Sequence, residues 1–313
     1  MSSAPPGQVS RRVRLSHAAR QRLEFYVSIA PWLIGFLLFT GGPIVASFYF
    51  SFTDWNVLKP PKWIGIDNYI ELVSIDPLFW VSLYNTAFYT VGHVPLVFVV
   101  ALAAALLLNQ KVRFIPFFRT VYYLPTVTAG VAVSILWLWI FNPEFGLINF
   151  GLSFLGIQGP GWLFSKEWAK PALILMSAWY FGEQMVILLA GLQGVPDHLY
   201  EAAKIDGANP AQEFRHITLP MLSPVVFFVL IVLIINSFQV FTNVYVMTRG
   251  GPADATLMYV LQMYFKAFSD LKMGYTSAMA WILFAIILIL TMIQFRFANR
   301  WVYYEGDDRT GGR

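Results

Sequence analysis

The chain has 313 residues, a formal net charge of +4 and no cysteine, and only 12% of its residues are charged whereas 58% are hydrophobic. A water-soluble domain carries about a quarter charged residues, so the composition excludes a typical soluble enzyme, and the lack of cysteine excludes disulfides and thiolate metal sites. The apolar residues stand in long blocks instead of short alternating strands, which predicts an all-α polytopic membrane protein.

Six apolar blocks reach the length of about 20 residues that a membrane-spanning helix needs. They predict spans at about 26–52, 86–108, 117–141, 171–192, 222–247 and 277–298. Residues 1–25 and 299–313 are polar tails, and the first is basic and predicted to be disordered. The first block follows several arginines, as a signal peptide does, but it is longer than the roughly 7–15 apolar residues of a signal peptide.

The distribution of lysine and arginine predicts the orientation of the spans, because cytoplasmic loops carry the excess of these residues. With the N-terminus inside, fourteen lysines and arginines lie in cytoplasmic segments and seven lie in outer segments. Both termini are therefore predicted to be cytoplasmic, and so is the charged loop 193–220.

Segments 53–85 and 142–170 connect spans on the predicted outer side. They contain Pro and Gly turns and five tryptophans, Trp55, Trp63, Trp80, Trp162 and Trp168. Tryptophan favours the level of the lipid headgroups. Short interfacial helices are therefore predicted here, and a ligand-facing role for the tryptophans is the alternative.

Two threonines follow a proline inside the third predicted span. Thr126 and Thr128 come directly after Pro125, which removes a backbone donor from the helix. The hydroxyls either satisfy a broken helix turn or line a pore, and the sequence leaves both interpretations open.

The fourth predicted span carries a polar stripe. Ser177, Tyr180 and Gln184 are spaced i, i+3, i+7 and share one face of a helix, with Glu183 beside them. Polar groups are costly in hydrocarbon, so they face a bundle interior or a watery cavity. The stripe either lines a pore that binds a solute or provides hydrogen bonds between helices.

The fifth predicted span repeats this pattern with amides. Asn236, Gln239 and Asn243 are again spaced i, i+3, i+7, and the aromatic residues Phe238, Phe241 and Tyr245 are interleaved with them. Amides bind sugar hydroxyls and aromatic planes stack on sugar rings, so the pattern favours a saccharide site. Hydrogen bonds between helices and lipid-facing rings are the alternative.

The chain lacks an energy source of its own. The dipeptide Gly-Lys never occurs, so there is no nucleotide-binding P-loop. Glu183 is the only acidic residue well inside a predicted span, whereas proton-coupled transporters use several such groups. We expect a partner to supply the energy at the cytoplasmic loop.

That loop reads EAAKIDGANPAQEFRHITLP from Glu201 to Pro220. The spacing of its Glu-Ala-Ala, Gly and Ile-x-Leu-Pro resembles the loop by which permeases of carbohydrate-uptake, binding-protein-dependent (maltose-type) ABC importers dock on their ATPase. The segment SFTDWNV with WIGIDNYIEL, between Ser51 and Leu72, and TRGGP, from Thr248 to Pro252, also resemble this family.

The resemblance implies the six-helix type I ABC importer permease fold over residues 26–298, in a bacterial plasma (inner) membrane. Residues 197–215 are expected to form two short helices joined at Gly207, the first of them in a cleft of the ATPase. The residues expected to couple to the ATPase are Glu201, Ala202, Ala203, Asp206, Gly207, Ile217, Leu219 and Pro220.

The resemblance also indicates substrate contacts on the helices before and after this loop, which carry the polar stripes. The expected substrate-binding residues are Ser177, Tyr180, Glu183, Gln184, Asn236, Phe238, Gln239 and Asn243. No Lys or Arg lies deep in a predicted span, which favours a neutral mono-, di- or oligosaccharide. Glycerol 3-phosphate or a related polyol is the alternative substrate.

Family permeases act in assemblies. The implied partners are a second related permease in a heterodimer, two copies of an ABC ATPase, an extracytoplasmic sugar-binding protein and membrane lipid, with no nucleic acid. The chain is then a transport subunit without an enzymatic site or cofactor, and ATP and Mg bind to the ATPases. Transport is expected to proceed by alternating access. A stand-alone secondary transporter, driven by an ion gradient, is the alternative class.

Overall fold

The computed structural model describes residues 17–110 and 113–303, which fold mainly into helices. In this part of the chain a short antiparallel ribbon pairs β1 (Thr53–Asp54) with β2 (Lys62–Trp63). The helices in chain order are α1 His17–Phe36, α2 Gly42–Phe50, α3 Asp67–Ile70, α4 Pro77–Leu108, α5 Ile115–Val127, α6 Gly130–Ile140, α7 Leu147–Ser153, α8 Ala169–Ser177, α9 Gly182–Gln193, α10 Asp197–Ile205, α11 Pro210–Glu213, α12 Leu219–Phe238, α13 Thr242–Met247, α14 Tyr259–Tyr264 and α15 Met273–Ala298.

Long apolar helices supply the membrane-crossing elements that the composition predicts. The stretches long and apolar enough to cross are Glu24–Phe50, Pro77–Leu108, Pro210–Met247 and Met273–Ala298. Two helix pairs are bent, α5 with α6 by 97° and α8 with α9 by 48°. When each bent pair counts as one span, the described residues contain six spans, in agreement with the predicted number.

The predicted third span at 117–141 is wrong as a single helix. It consists of α5 and α6, separated by extended backbone at Thr128. The Thr126 hydroxyl donates to the carbonyl of Tyr123 at 2.8 Å, and the Thr128 hydroxyl donates to that of Leu124 at 3.0 Å. Both threonines thus satisfy carbonyls at the end of the broken helix, which is the first of the two interpretations left open by the sequence.

The structure also differs from the predicted boundaries of the two tails. Helix α1 begins at His17, so the predicted disordered tail 1–25 extends too far along the chain, and residues 1–16 lie outside the described residues. At the other end, residues 299–303 form a turn. The backbone amide of Tyr303 donates to the Ser223 hydroxyl at 2.8 Å and fastens this turn to α12.

Helix α4 is the centre of the bundle. Its second half presents Val97, Ala101 and Ala105 to α9 and α12, and these side chains are almost completely buried. Its first half packs on α8 and α14 around Tyr89, Phe79 and buried residues of those helices. Apolar contacts along one side of α4 therefore join α8, α9, α12 and α14 to it.

The bundle has two ends. Segments 51–76, 141–168 and 248–272 lie at one end, called the Trp-rich face below. Residues 109–110 and 113–114 and segments 194–218 and 299–303 lie at the other end, called the Gly207 face. Of the predicted interfacial tryptophans, Trp63 is exposed, whereas Trp162 is buried and donates to Asn149 at 2.6 Å. Trp162 is thus a core residue, contrary to the prediction of an interfacial belt.

Polar contacts attach segment 51–76 to the start of α15 on the Trp-rich face. The Tyr275 hydroxyl donates to the Asp76 carboxylate at 2.7 Å, and Lys272 forms an ion pair with Glu71 at 3.0 Å. Asp76 also caps α4 by accepting from the amide of Leu78. One carboxylate therefore links the start of α4 to the start of α15.

We expect Gly274→Ala to loosen this attachment. The Gly274 amide donates to the carbonyl of Trp55 at 3.1 Å, and an added Cβ would collide with the carbonyl of Thr53. Overpacking of this kind costs about 1–3 kcal/mol, so the thermal unfolding midpoint of the purified protein should fall by a few degrees. Gly151→Ala is the control, because no atom outside its own helix lies within 4 Å of its Cβ position. Equal midpoints for the two variants would contradict this account.

Candidate functional site

Three helix breaks meet inside the bundle. They separate α5 from α6, α8 from α9, and α12 from α13. A Cβ placed on Gly130, at the start of α6, would lie between 3.6 and 3.9 Å from atoms of Thr242, Asn243 and Tyr180. These residues come from the other two breaks, so the three breaks form one junction. Irregular backbone at membrane depth is tolerated where it is buried in protein or lines a water-filled cavity.

Polar side chains converge at this junction. The Ser134 hydroxyl lies 2.7 Å from the carbonyl oxygen of Gly130 and 3.0 Å from Oδ1 of Asn243. The Tyr180 hydroxyl and Oδ1 of Asn243 lie 3.9 and 3.8 Å from the same Cβ position on Gly130, and the hydroxyl has no hydrogen-bond partner in the described chain. A half-buried hydroxyl and an amide therefore stand beside each other with bonding capacity left for a ligand or water.

The stripe predicted on the fourth span divides between the interior and the surface. Ser177 and Gln184 are buried, and the Ser177 hydroxyl donates to the carbonyl of Ile174 at 2.6 Å. The side-chain oxygen of Gln184 has no hydrogen-bond partner among residues 17–110 and 113–303, and such groups are normally completed by water or a ligand. Glu183 is exposed on the surface of the chain.

The stripe predicted on the fifth span is wrong as a continuous helix face. Helix α12 ends at Phe238, so Asn243 lies on α13 and the i, i+3, i+7 relation does not apply. Phe238 is 6% exposed and packs in the core beside Tyr259, so it is not free to stack on a sugar. Asn236 and Gln239 are exposed on the chain surface.

Four aromatic rings form a shelf beside α13, called the aromatic shelf below: Phe241, Tyr245, Tyr264 and Phe268. Phe241 stacks on Tyr245 with ring centroids 5.4 Å apart, and Tyr264 lies 5.2 Å from each of them. Phe268 extends the row from Tyr264 at 5.2 Å and is exposed. The sequence pattern identified the first two rings and missed the others, because they come from α14 and the turn after it.

The predicted coupling segment forms an elbow on the Gly207 face. Helix α10 ends before Gly207, whose φ of +79° reverses the chain, and glycine adopts this left-handed conformation without strain. Asn209 then starts α11 through a capping box with Gln212. The expectation of two short helices is wrong for the second, because the helical stretch that starts at Pro210 continues through a π-helical turn to Phe238.

The two arms of the elbow are joined and mostly exposed. The hydroxyls of Tyr200 and Thr218 lie 2.9 Å apart and link α10 to the start of α12. Between the arms is an open groove of about 400 Å³, lined by Ala203, Asp206, Gly207, Ala208, Gln212, Glu213, His216 and Ile217. The expected contacts Glu201, Ala202 and Leu219 are exposed, and Pro220 is half-buried.

One apolar residue of the elbow was not identified from the sequence. Ile205 closes α10 and is 87% exposed. The other large apolar side chains of α10, Leu199 and Tyr200, are half-buried, so Ile205 is the large apolar residue that this helix leaves exposed. The signal was present in the sequence as the single isoleucine of the polar stretch from Glu201 to Asn209.

The sequence of this chain is similar to those of known transport proteins. The family described as binding-protein-dependent transport system inner membrane component matches residues 97–303. The chain is 42% identical over 293 residues to the probable ABC transporter permease protein YesP of Bacillus subtilis (strain 168), covering 92% of this chain and 94% of YesP. It is 34% identical to the lactose transport system permease protein LacF of Rhizobium radiobacter, covering 90% of this chain and 98% of LacF.

The fold has a counterpart among solved structures. A crystal structure of a bacterial ABC transporter involved in the import of the acidic polysaccharide alginate contains a similar chain, with a TM-score of 0.78 and 22% sequence identity. The similarity covers 90% of this chain and 96% of that chain. At this identity the likeness establishes the fold alone.

We expect a double-mutant cycle to detect the junction between α6 and α13. Ser134→Ala combined with Asn243→Leu should reveal a coupling energy of about 0.6–1.7 kcal/mol in unfolding measurements in detergent, the range known for hydrogen bonds between membrane helices. Pairing Asn243→Leu with Thr291→Ala is the control, because the Thr291 hydroxyl bonds within α15 to Ile287, and distant sites add independently. A coupling energy of zero for the first pair would contradict the junction.

Proposed function

The chain belongs to the family of binding-protein-dependent transport system inner membrane components, and from this premise we propose that it takes up a saccharide as one permease of an ABC importer. An extracytoplasmic binding protein delivers the sugar, and a separate ATPase supplies the energy. The observation that supports coupling to an ATPase is the exposed elbow formed by α10, Gly207 and α11, from which Ile205 projects.

The elbow has the properties of a docking surface. Its polar arms surround an open groove, and Ile205 provides an apolar anchor of the kind that dominates binding energy in protein interfaces. The predicted cytoplasmic location of residues 193–220 puts this surface on the side where ATP is available. We propose that Glu201, Ala202 and Ile205 contact the ATPase directly.

The saccharide path is proposed at the junction of the three helix breaks. Sugar hydroxyls need partners that donate and accept, and Tyr180, Asn243 and Gln184 provide hydroxyl and amide groups with bonding capacity left. The aromatic shelf beside α13 provides planes for the apolar faces of sugar rings. LacF, a relative of this chain, is named for lactose transport, which supports a sugar as the class of substrate.

A continuous helical stretch connects the two proposed surfaces. It runs from Pro210, beside the elbow, to Phe238, where the break before α13 begins. The bond between Tyr200 and Thr218 fixes the first arm of the elbow to this stretch. We propose that closure of the ATPases moves the elbow and the stretch together, so that the junction opens alternately to the two faces of the membrane.

Exposed polar residues within the spans support a second permease. Glu183, Asn236 and Gln239 lie on the surface of this chain at membrane depth. A carboxylate in contact with lipid is strongly unfavourable, so these groups need a polar covering. A second, related permease that faces this surface and encloses a water-filled path would provide it, which supports the heterodimer implied by the sequence.

We expect Ile205→Glu to weaken ATPase binding at least tenfold, because truncating or charging an anchor in an interface costs about 2 kcal/mol or more. Co-purification of the ATPase with the permease pair measures this. Ile66→Glu is the matched control, since Ile66 is also exposed but lies on the Trp-rich face. Unchanged co-purification of Ile205→Glu would disprove the docking surface.

The function itself is tested by ATPase activity of the complete complex in nanodiscs with its binding protein. We expect stimulation by a saccharide and none by glycerol 3-phosphate. If no ATPase associates, and the purified chain instead transports solute along an ion gradient, the chain is a secondary transporter and the importer proposal fails.

A further inference from the structure

An arginine stands at the Trp-rich end of α13, in a loop with unusual backbone. Arg249, Ala253 and Asp254 have φ values of +50°, +46° and +58°, and Gly250 has +91°. Left-handed backbone is unfavourable for residues that carry a Cβ. Proteins retain several such residues in one loop where surrounding bonds fix them, and these loops concentrate at ligand-binding sites.

The bonds that fix this loop are internal. The Arg249 amide donates to the carbonyl of Val244 at 2.9 Å, and the Thr256 amide donates to that of Gly250 at 3.1 Å. The hydroxyl of the fully buried Thr256 lies 2.7 Å from both the Gly251 carbonyl oxygen and the Thr248 hydroxyl. The position of Arg249 is therefore set by the fold.

The guanidinium group of Arg249 lies over the aromatic shelf. It is 5.8 Å from the ring centroid of Tyr245, within range of a cation–π interaction. Arg249 is exposed, and no ion pair joins it to a carboxylate in the part of the chain that the structure describes, including Asp254 of the same loop. The fold thus presents a cation without a carboxylate partner beside rings suited to sugars.

This combination of groups suits one class of ligand. The planar guanidinium group binds carboxylates through two parallel hydrogen bonds, and aromatic planes stack on sugar rings. Asn243 lies in the first turn of α13, which has six residues and is about 9 Å long, and Arg249 follows the end of this helix. A sugar of more than one ring can therefore place one ring at the junction and an acidic group at Arg249.

We propose that the substrate is an acidic saccharide, with a uronate carboxylate that pairs with Arg249 while the sugar rings lie on the aromatic shelf. The inference rests on the proposed sugar-import function and specifies its substrate. It revises the sequence-based preference for a neutral sugar, which considered only Lys and Arg deep within spans. Arg249 lies just beyond α13, where water still reaches the charge.

The test uses the complete complex in nanodiscs with its binding protein, and measures the half-saturating sugar concentration for ATPase stimulation. The probes are uronic acid disaccharides, such as digalacturonate, each with its neutral methyl ester. We expect the acids to act at concentrations at least tenfold lower than the esters. Arg249→Gln should raise the half-saturating concentration of the acid at least tenfold and leave that of the ester unchanged, and Arg249→Lys should restore part of the loss.

Lys62→Gln is the matched control, because it removes one positive charge from the Trp-rich face away from the aromatic shelf. An equal effect of Lys62→Gln on the acids would overturn the proposal in favour of general attraction. An equal loss for acids and esters in Arg249→Gln would overturn it in favour of contact with the binding protein. Stimulation by neutral sugars alone would also overturn it but preserve the importer function, whereas absence of stimulation by any saccharide would reject both.

Discussion

Hydrocarbon offers no hydrogen bonds to a polypeptide, so every backbone group freed at a helix break needs a partner in the protein or in enclosed water. This constraint explains why the breaks lie together. The hydroxyls of Thr126 and Thr128 satisfy the end of α5, and Ser134 bonds back to Gly130 at the start of α6. The polar groups that make broken helices tolerable are also groups that a sugar can use, which is the reason for proposing the saccharide path where the helices are interrupted.

The elbow on the Gly207 face follows from a second constraint, which is the transmission of force through a helix. A helix transmits displacement along its axis when its backbone bonds are continuous. The stretch from Pro210 to Phe238 meets this condition, although it contains a turn of π-helix at Phe214–Thr218. That turn is braced by the bond between Tyr200 and Thr218. Gly207 lies outside the continuous part, so the chain reverses there without interrupting the connection to the junction.

The sequence predicted those features that depend on local pattern. Apolar blocks predicted the number of spans. The polar stripe predicted on the fourth span includes Tyr180, which lies at the junction, and the helical pattern applies there because α8 and α9 are bent by only 48°. The stripe through Gln239 failed because α12 ends one residue earlier, at an irregular turn that no periodicity signals. Tyr264 was missed since its contact with Phe241 joins separate segments of the chain. Ile205 was missed because an isoleucine in a helical motif is expected to face a core, whereas the structure shows that this side chain is exposed.

The placement of charge in this chain follows from the cost of burying it. A charged side chain at the bilayer centre costs about 2.5–3.5 kcal/mol on insertion scales, whereas a hydroxyl or amide can be satisfied there by neighbouring helices. Recognition of sugar hydroxyls can therefore occur at the junction, through neutral groups such as Tyr180 and Asn243. Recognition of charge is favoured near water, where Arg249 remains solvated until a carboxylate arrives. Glu183 is the exception, since it is exposed within a span, and its carboxylate therefore requires a covering that this chain alone does not provide.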